Sequence, residues 1–194
     1  MTRGTATPAD LPVVVARTRA LNALEHIEID DGVLVAATAR LLADPSLGEV
    51  WLIEQDLVPI GHAVITYGFD LEFGGRDSFL TELFVDPDAR GHGAGSAALR
   101  LLEWELKRRE VRALHLGVLP GNPARRLYER SGFVTSPRVL MTRVFGTAAS
   151  LLERVTSRAG RRRRLVLDLV RMTRQARRSI TLRLRFMRRV TRHA

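Results

Sequence analysis

The chain has 194 residues, 45% of them hydrophobic, which suits one folded domain with an appendage and excludes a wholly disordered chain. It contains no cysteine, so a disulfide scaffold, a thiolate metal site and a cysteine nucleophile are excluded. Its net charge of +10 is unevenly placed: residues 146–194 hold 15 arginines against Glu153 and Asp168, leaving 16 basic and 19 acidic side chains in residues 1–145.

Thr7-Pro8-Ala9-Asp10 has the pattern of a helix start: a threonine cap, proline in the first turn and an acid where the helix dipole favours it. Leu11, Val14, Val15, Leu21 and Leu24 carry this helix to about Glu25. Asp30 and Asp31 open a second helix through Leu34, Val35, Thr38, Leu41 and Leu42, which Asp44-Pro45 stops. Glu49–Glu54 and Val58–Phe69 then read as strands joined by a tight turn at Gln55-Asp56, and Gly74-Gly75 marks a second hairpin before a strand over Phe79–Val85. A helix is expected from Gly95 to Arg109, a short strand at Ala113–Val118, and a helix over Asn122–Ser131 ended by Gly132 at a left-handed cap. Val139–Phe145 is the last expected strand.

The stretch Val85-Asp86-Pro87-Asp88-Ala89-Arg90-Gly91-His92-Gly93-Ala94-Gly95-Ser96 places three alternating glycines between a strand end and a helix start. Side chains are missing where backbone amides approach a ligand closely, and the helix N-terminus adds partial positive charge, so the loop suits a phosphate. A nucleotide P-loop would need Gly-Lys-Ser/Thr, and no lysine is present. A dinucleotide fingerprint is nominally present in Gly93-Ala94-Gly95-Ser96-Ala97-Ala98. The next strand, however, ends in Val118-Leu119-Pro120, without the acid that would hold a ribose. A plain glycine-rich helix start is the third alternative.

Arg90-Gly91-His92-Gly93-Ala94-Gly95 resembles the Arg/Gln-x-x-Gly-x-Gly/Ala loop of the GNAT superfamily of N-acetyltransferases. Asn122-Pro123-Ala124-Arg125-Arg126-Leu127-Tyr128-Glu129-Arg130-Ser131-Gly132-Phe133 resembles that family's second block, Asn…Leu-Tyr-Glu-x-x-Gly-Phe. The one departure is spacing: Asn122 stands six residues before Tyr128, where the family has seven.

The resemblance implies an α/β fold, with a mixed, mostly antiparallel sheet flanked by helices, and acetyl transfer from acetyl-CoA to an amine. It implies that the backbone of Gly91, His92, Gly93, Ala94, Gly95 and Ser96 binds the pyrophosphate of acetyl-CoA, with Arg90 opening the loop and Asn122 contributing. The backbone of Leu83, Phe84 and Val85 is then expected to hold the pantetheine arm. An uncharged amine attacks directly, which calls for a base on the amine and an acid for the departing thiolate. Tyr128 stands at the family's tyrosine position as candidate acid. Its structural alternative is a buried aromatic packed on the helix. Glu82 is the candidate base, acting through water. Alternation places Leu80, Glu82 and Phe84 on one face, and a carboxylate among apolar neighbours suits a base working near neutrality. Its alternative is a solvated strand glutamate.

His26, His62, His92 and His115 fit no metal-ligand spacing, and no metal site is expected. His92 is expected to turn its ring to solvent, while His62 and His115 read as strand residues. Asp70, Glu72 and Asp77 in the second hairpin are candidates to attract a cationic amine, set against ordinary solvated acids. The acceptor is expected to be a small-molecule or polyamine-like primary amine before a protein amine. The rival is a CoA-binding module without catalysis.

Residues 1–146 are thus expected to form the acetyltransferase domain and 147–194 an arginine-rich helical tail. Leu165, Leu169, Met172, Ala176, Ile180, Leu184 and Met187 recur at steps of three or four, with Arg171, Arg174, Arg178, Arg185 and Arg189 among the arginines mostly opposite. A helix of about 45 Å with that pattern suits an anionic membrane surface. It also suits nucleic acid phosphates, although Phe186 alone offers base stacking. Packing on the domain or on a second copy, and a functionally neutral extension, stand beside these readings. No run reaches the roughly 18 apolar residues of a membrane span, and Met1–Thr5 lacks a signal-peptide core. The expected location is cytoplasmic, with the tail offering a peripheral membrane contact.

Overall fold

A computed structural model describes residues 3–143 and 145. The arginine-rich tail expected at 147–194 lies outside the described residues. The chain divides into two units, residues 1–140 and 141–194.

In the first unit, Thr7 and Asp10 close the chain start: the Thr7 backbone N–H and hydroxyl both donate to Asp10 Oδ2, at 2.7 and 2.9 Å. A 3-10 turn at Pro8–Asp10 then leads into α1 (Leu11–Leu24). The Asp30 carboxylate accepts from the Val33 N–H at 3.0 Å and caps α2 (Asp31–Ala43), as its place before the apolar run predicts. Five strands follow one another across a single sheet: β1 (Arg3–Thr5), β2 (Gly48–Gln55), β3 (Val58–Asp70), β4 (Gly75–Val85) and β5 (Ala113–Leu116). Every neighbouring pair is antiparallel except β4 and β5, which are parallel and joined through α3 (Ala94–Arg108). This is the mixed, mostly antiparallel sheet flanked by helices that the resemblance implies. The hairpin turn between β2 and β3 sits at Asp56 and Leu57, both with positive φ, one residue beyond the expected place.

Each face of the sheet carries its own core. Trp51, Ala63, Ile65 and Leu80 pack against Leu99, Leu102 and Leu106 of α3, whose spacing of three and four puts them on one helical face. Val50, Leu52 and Val64 pack on the other side against Val14 of α1 and Leu42 of α2. Trp104 of α3 points outward with Arg108 5.2 Å from its ring. Buried Glu105 accepts from Arg109, which also donates to Glu49 of β2 and, at 3.2 Å, to the Tyr67 hydroxyl of β3. This pins the end of α3 to the sheet.

Sequence reading missed β1, because three residues are too few to show alternation. The final helix, α4 (Arg125–Arg130), is shorter than the expected Asn122–Ser131, since residues 122–124 form the turn that starts it. Gly132 adopts φ 86°, the left-handed cap expected of it. The strand expected over Val139–Phe145 is not formed among the described residues. In the first unit Val139 and Leu140 are exposed and without regular structure; so are Met141 and Phe145 in the second, where Arg143 lies 5.2 Å from the Phe145 ring. An apolar run supplies strand propensity, but a strand also needs a ladder partner.

Candidate active site

The glycine loop and the start of α3 are built as their sequence requires. Gly91 and Gly93 adopt φ 81° and 83°, left-handed values that a residue with a Cβ rarely takes, and Gly93 is the N-cap of α3. A Cβ at either position would meet nothing within 4 Å, so conformation rather than crowding demands glycine there. Gly95 differs: its Cβ would come 3.1 Å from Leu127, where α3 crosses α4. The first N–H groups of a helix have no acceptor inside it, and here they belong to Ala94, Gly95 and Ser96. His92 is exposed. Arg90 does more than open the loop: its Nε donates to the Val85 carbonyl at 2.9 Å and its guanidinium lies 5.5 Å from the Phe84 ring.

Beside this loop the sheet opens. β4 and β5 are paired from Asp77↔Ala113 to Leu80↔Leu116, and there β5 ends while β4 continues to Val85. Residues 81–85 are therefore bonded to β3 on one edge and, among the described residues, lack a strand on the other. The Asp86 N–H donates to the Ile60 carbonyl on the β3 side, and a Cβ on Gly61 would lie 2.3 Å from the Phe84 carbonyl. Phe84 thus turns its peptide toward β3, and alternation turns those of Leu83 and Val85 toward the open edge.

A bulge decides where Glu82 points. Glu82 pairs with Val64 and Leu80 with Ile65, leaving Thr81 as the extra residue of β4. The expected common face of Leu80, Glu82 and Phe84 is broken at this point. Leu80 stays in the core beneath α3, while Glu82 faces α1 on the far side. Its neighbours there are polar. The Thr18 hydroxyl donates to Glu82 Oε2 at 2.9 Å, and His62 Nε2 lies 2.7 Å from the same oxygen. His62 is completely buried, while 24% of the Glu82 side chain remains exposed. One helical position earlier, Arg17 donates to the Pro59 carbonyl and to Asp86 Oδ2, the latter at 2.7 Å, which ties α1 to the end of β4.

Tyr128 lies on α4, packed against the α3-side core and edge-on to Phe133 at 5.8 Å. Its hydroxyl has no hydrogen-bond partner among the described residues. Burial holds the phenol above its ordinary pKa, and the charge of Glu25 adds to the rise. Asn122 accepts from the Ala124 N–H through its side-chain oxygen at 2.9 Å, so it shapes the turn into α4.

The hairpin acids are already engaged. Arg138 grips Glu72 through both terminal nitrogens at 2.5 and 3.1 Å, Asp77 lies 3.4 Å from His115, and Asp70 accepts from the Glu72 N–H at 2.8 Å. A cavity of about 710 Å³ lies beside them, between Leu99 and Leu106 of α3, Leu114 and His115 of β5, and Phe133. It touches neither Glu82, Tyr128 nor the glycine loop, and belongs to the outer side of β5 rather than to the β4 opening. Among the described residues no group of three His, Asp or Glu side chains is arranged to hold a metal ion.

Residues 18–133 match the model of the acetyltransferase (GNAT) family. Among solved structures, an integron cassette protein from the mobile metagenome of Cole Harbour Salt Marsh is 32% identical, with 74% of this chain and 90% of that one covered and a TM-score of 0.66. A protein of Clostridium acetobutylicum, described as a predicted acetyltransferase and solved with acetyl-CoA, is 23% identical, covering 73% and 95% with a TM-score of 0.62. A ribosomal-protein-alanine N-acetyltransferase of Brucella melitensis is 20% identical over 74% and 98%, with a TM-score of 0.59. No curated protein matches the chain.

Proposed function

The chain belongs to the GNAT family of acetyltransferases and is an N-acetyltransferase, and on that premise we propose that it acetylates a primary amine at the opening between β4 and β5. The observation that carries this reading is the loss of the β5 partner past Leu80, beside a glycine loop and with a carboxylate on the unpaired stretch. Family membership favours a working enzyme over a CoA-binding module without catalysis.

Acetyl-CoA, when bound, supplies the acetyl group as a thioester already activated toward an amine. The loop fits its pyrophosphate, because Gly91 and Gly93 are exposed, and a Cβ on either would project into the open space a ligand needs. The amides of Gly91 to Ser96 bind there, Arg90 adds its exposed charge, and Asn122 shapes the adjoining turn. Leu83 offers its N–H and carbonyl, and Val85 its N–H, to the pantetheine arm, while the Val85 carbonyl accepts from Arg90 and Phe84 holds the strand to β3. Glu82 takes a proton from the amine, directly or through one water, since its carboxylate is fixed yet partly exposed. Tyr128 gives a proton to the departing sulfur. Of the hairpin acids Glu72 is neutralised by Arg138, whereas Asp70 accepts only a backbone N–H and keeps its charge, so a small primary amine and a polyamine-like amine both remain acceptors of the right chemistry.

Replacing Glu82 with Gln should lower kcat/KM for the amine by about 10²–10⁴-fold, the usual worth of a general base. Affinity for acetyl-CoA, measured by calorimetry, should stay near wild type. Wild-type kcat/KM in this variant removes Glu82 from the chemistry.

A further inference from the structure

We infer that buried His62 and Thr18 are positioning residues that clamp one oxygen of Glu82, leaving the other as the only proton acceptor of the site. The inference rests on the base assignment above and adds two residues to it.

Both groups reach the same atom. Thr18 Oγ1 lies 2.9 Å and His62 Nε2 2.7 Å from Glu82 Oε2, with 3.5 Å between Oγ1 and Nε2. Oε1 has no hydrogen-bond partner among the described residues. The carboxylate is thus asymmetric: Oε2 is held by two buried side chains and Oε1 by none among the described residues, while 24% of the Glu82 side chain is exposed. Two donors on one oxygen also fix the torsion angles of a side chain with three rotatable bonds. Free rotation there would spread the acceptor over positions from which proton transfer fails.

The imidazole is held in one tautomer. A bare Nε2 lone pair 2.7 Å from a carboxylate oxygen would repel it, so the ring proton must lie between them on Nε2. The reverse arrangement, a protonated Glu82 donating to Nε2, would put the ring proton on Nδ1. That atom is buried and has no acceptor among the described residues. An unsatisfied buried N–H is costly, whereas donation from Nε2 satisfies a charged acceptor. His62 therefore donates permanently and does not carry the transferred proton. During turnover the amine's proton goes to Oε1, the C–N bond forms as the C–S bond breaks, and the proton from Tyr128 goes to sulfur. The sheet register gives the reason for the arrangement. The Thr81 bulge turns Glu82 toward α1, where Thr18 and His62 are buried and polar in an otherwise apolar layer.

The test uses the full chain in two parts. In ¹⁵N NMR with histidine labelling, the His62 ring should show a protonated Nε2 and a bare Nδ1; a proton on Nδ1 overturns the inference whatever the acceptor. For kinetics, acetyl-CoA consumption is followed with benzylamine, tyramine, spermidine and an alanine-initiated peptide. His62→Leu should lower kcat/KM for an accepted amine at least about tenfold. His62→Gln, which restores an N–H donor, should recover most of that loss. Acetyl-CoA affinity should be unchanged in both. In a Glu82→Gln background, His62→Leu should cause no further loss, because both changes remove one device. Losses that multiply, or failure of Gln to rescue, mean that His62 merely packs and overturn the clamp. Should His62→Leu fail to fold, Thr18→Val removes the other donor at nearly constant volume and must show the same coupling. If Glu82→Gln alone is silent, the base assignment has failed instead, a result separable from a silent His62→Leu beside an impaired Glu82→Gln.

Discussion

Tyr128 carries the sharpest prediction at the scale of single residues. Phenylalanine at 128 keeps the packing on Phe133 and removes only the hydroxyl. Turnover should fall by about 10²–10⁴-fold with acetyl-CoA affinity nearly unchanged. The active form is the protonated phenol, and burial with the Glu25 charge raises its pKa above the ordinary value of about 10. The rate should therefore hold as pH rises to about 10 and fall only beyond it. An alkaline midpoint well below that range, absent from Tyr128→Phe, would assign the donor elsewhere. Residue types were legible here because each motif names its own tyrosine, glycines and asparagine. The partners of Glu82 were not. His62 has the look of any strand residue, since nothing in a linear chain brings residues 18, 62 and 82 together.

At the scale of elements, caps and turns were readable because their chemistry is local. Asp30 caps α2, Gly132 ends α4, and Asp44-Pro45 closes α2 within a residue of its expected stop. The bulge at Thr81 was not readable, because a bulge depends on register with a partner strand, and this one moved Glu82 to the opposite face. The strand expected over Val139–Phe145, not formed among the described residues, failed for a related reason: propensity is intrinsic, pairing is not. The loop between β4 and α3 offers a direct test. Valine at Gly93 must hold φ 83° at a cost of about 1–2 kcal/mol, and valine at Gly95 presses on Leu127. The double variant should show no acetyl-CoA binding in calorimetry. Wild-type affinity would move the cofactor away from this loop.

At the scale of the whole molecule the charge is divided, with the arginine excess confined to residues 146–194. We propose that this segment binds an anionic surface and that catalysis does not need it. The full chain should bind vesicles containing anionic lipid more tightly than neutral ones. Salt should weaken that binding, since each arginine contributes about 1 kcal/mol through a screened field. Truncation after Gly146 should abolish the association and leave acetyl transfer intact. Nucleic-acid binding in a mobility shift, without lipid binding, would assign the arginines to phosphates instead. Loss of activity on truncation would place the segment within the catalytic body. The central claim, that this chain acetylates an amine, is tested most directly by thiol release from acetyl-CoA across a panel of primary amines. Saturable release that needs the amine, and is lost in Glu82→Gln, is the predicted result. Acetyl-CoA binding without amine-dependent release from any member of the panel would contradict it.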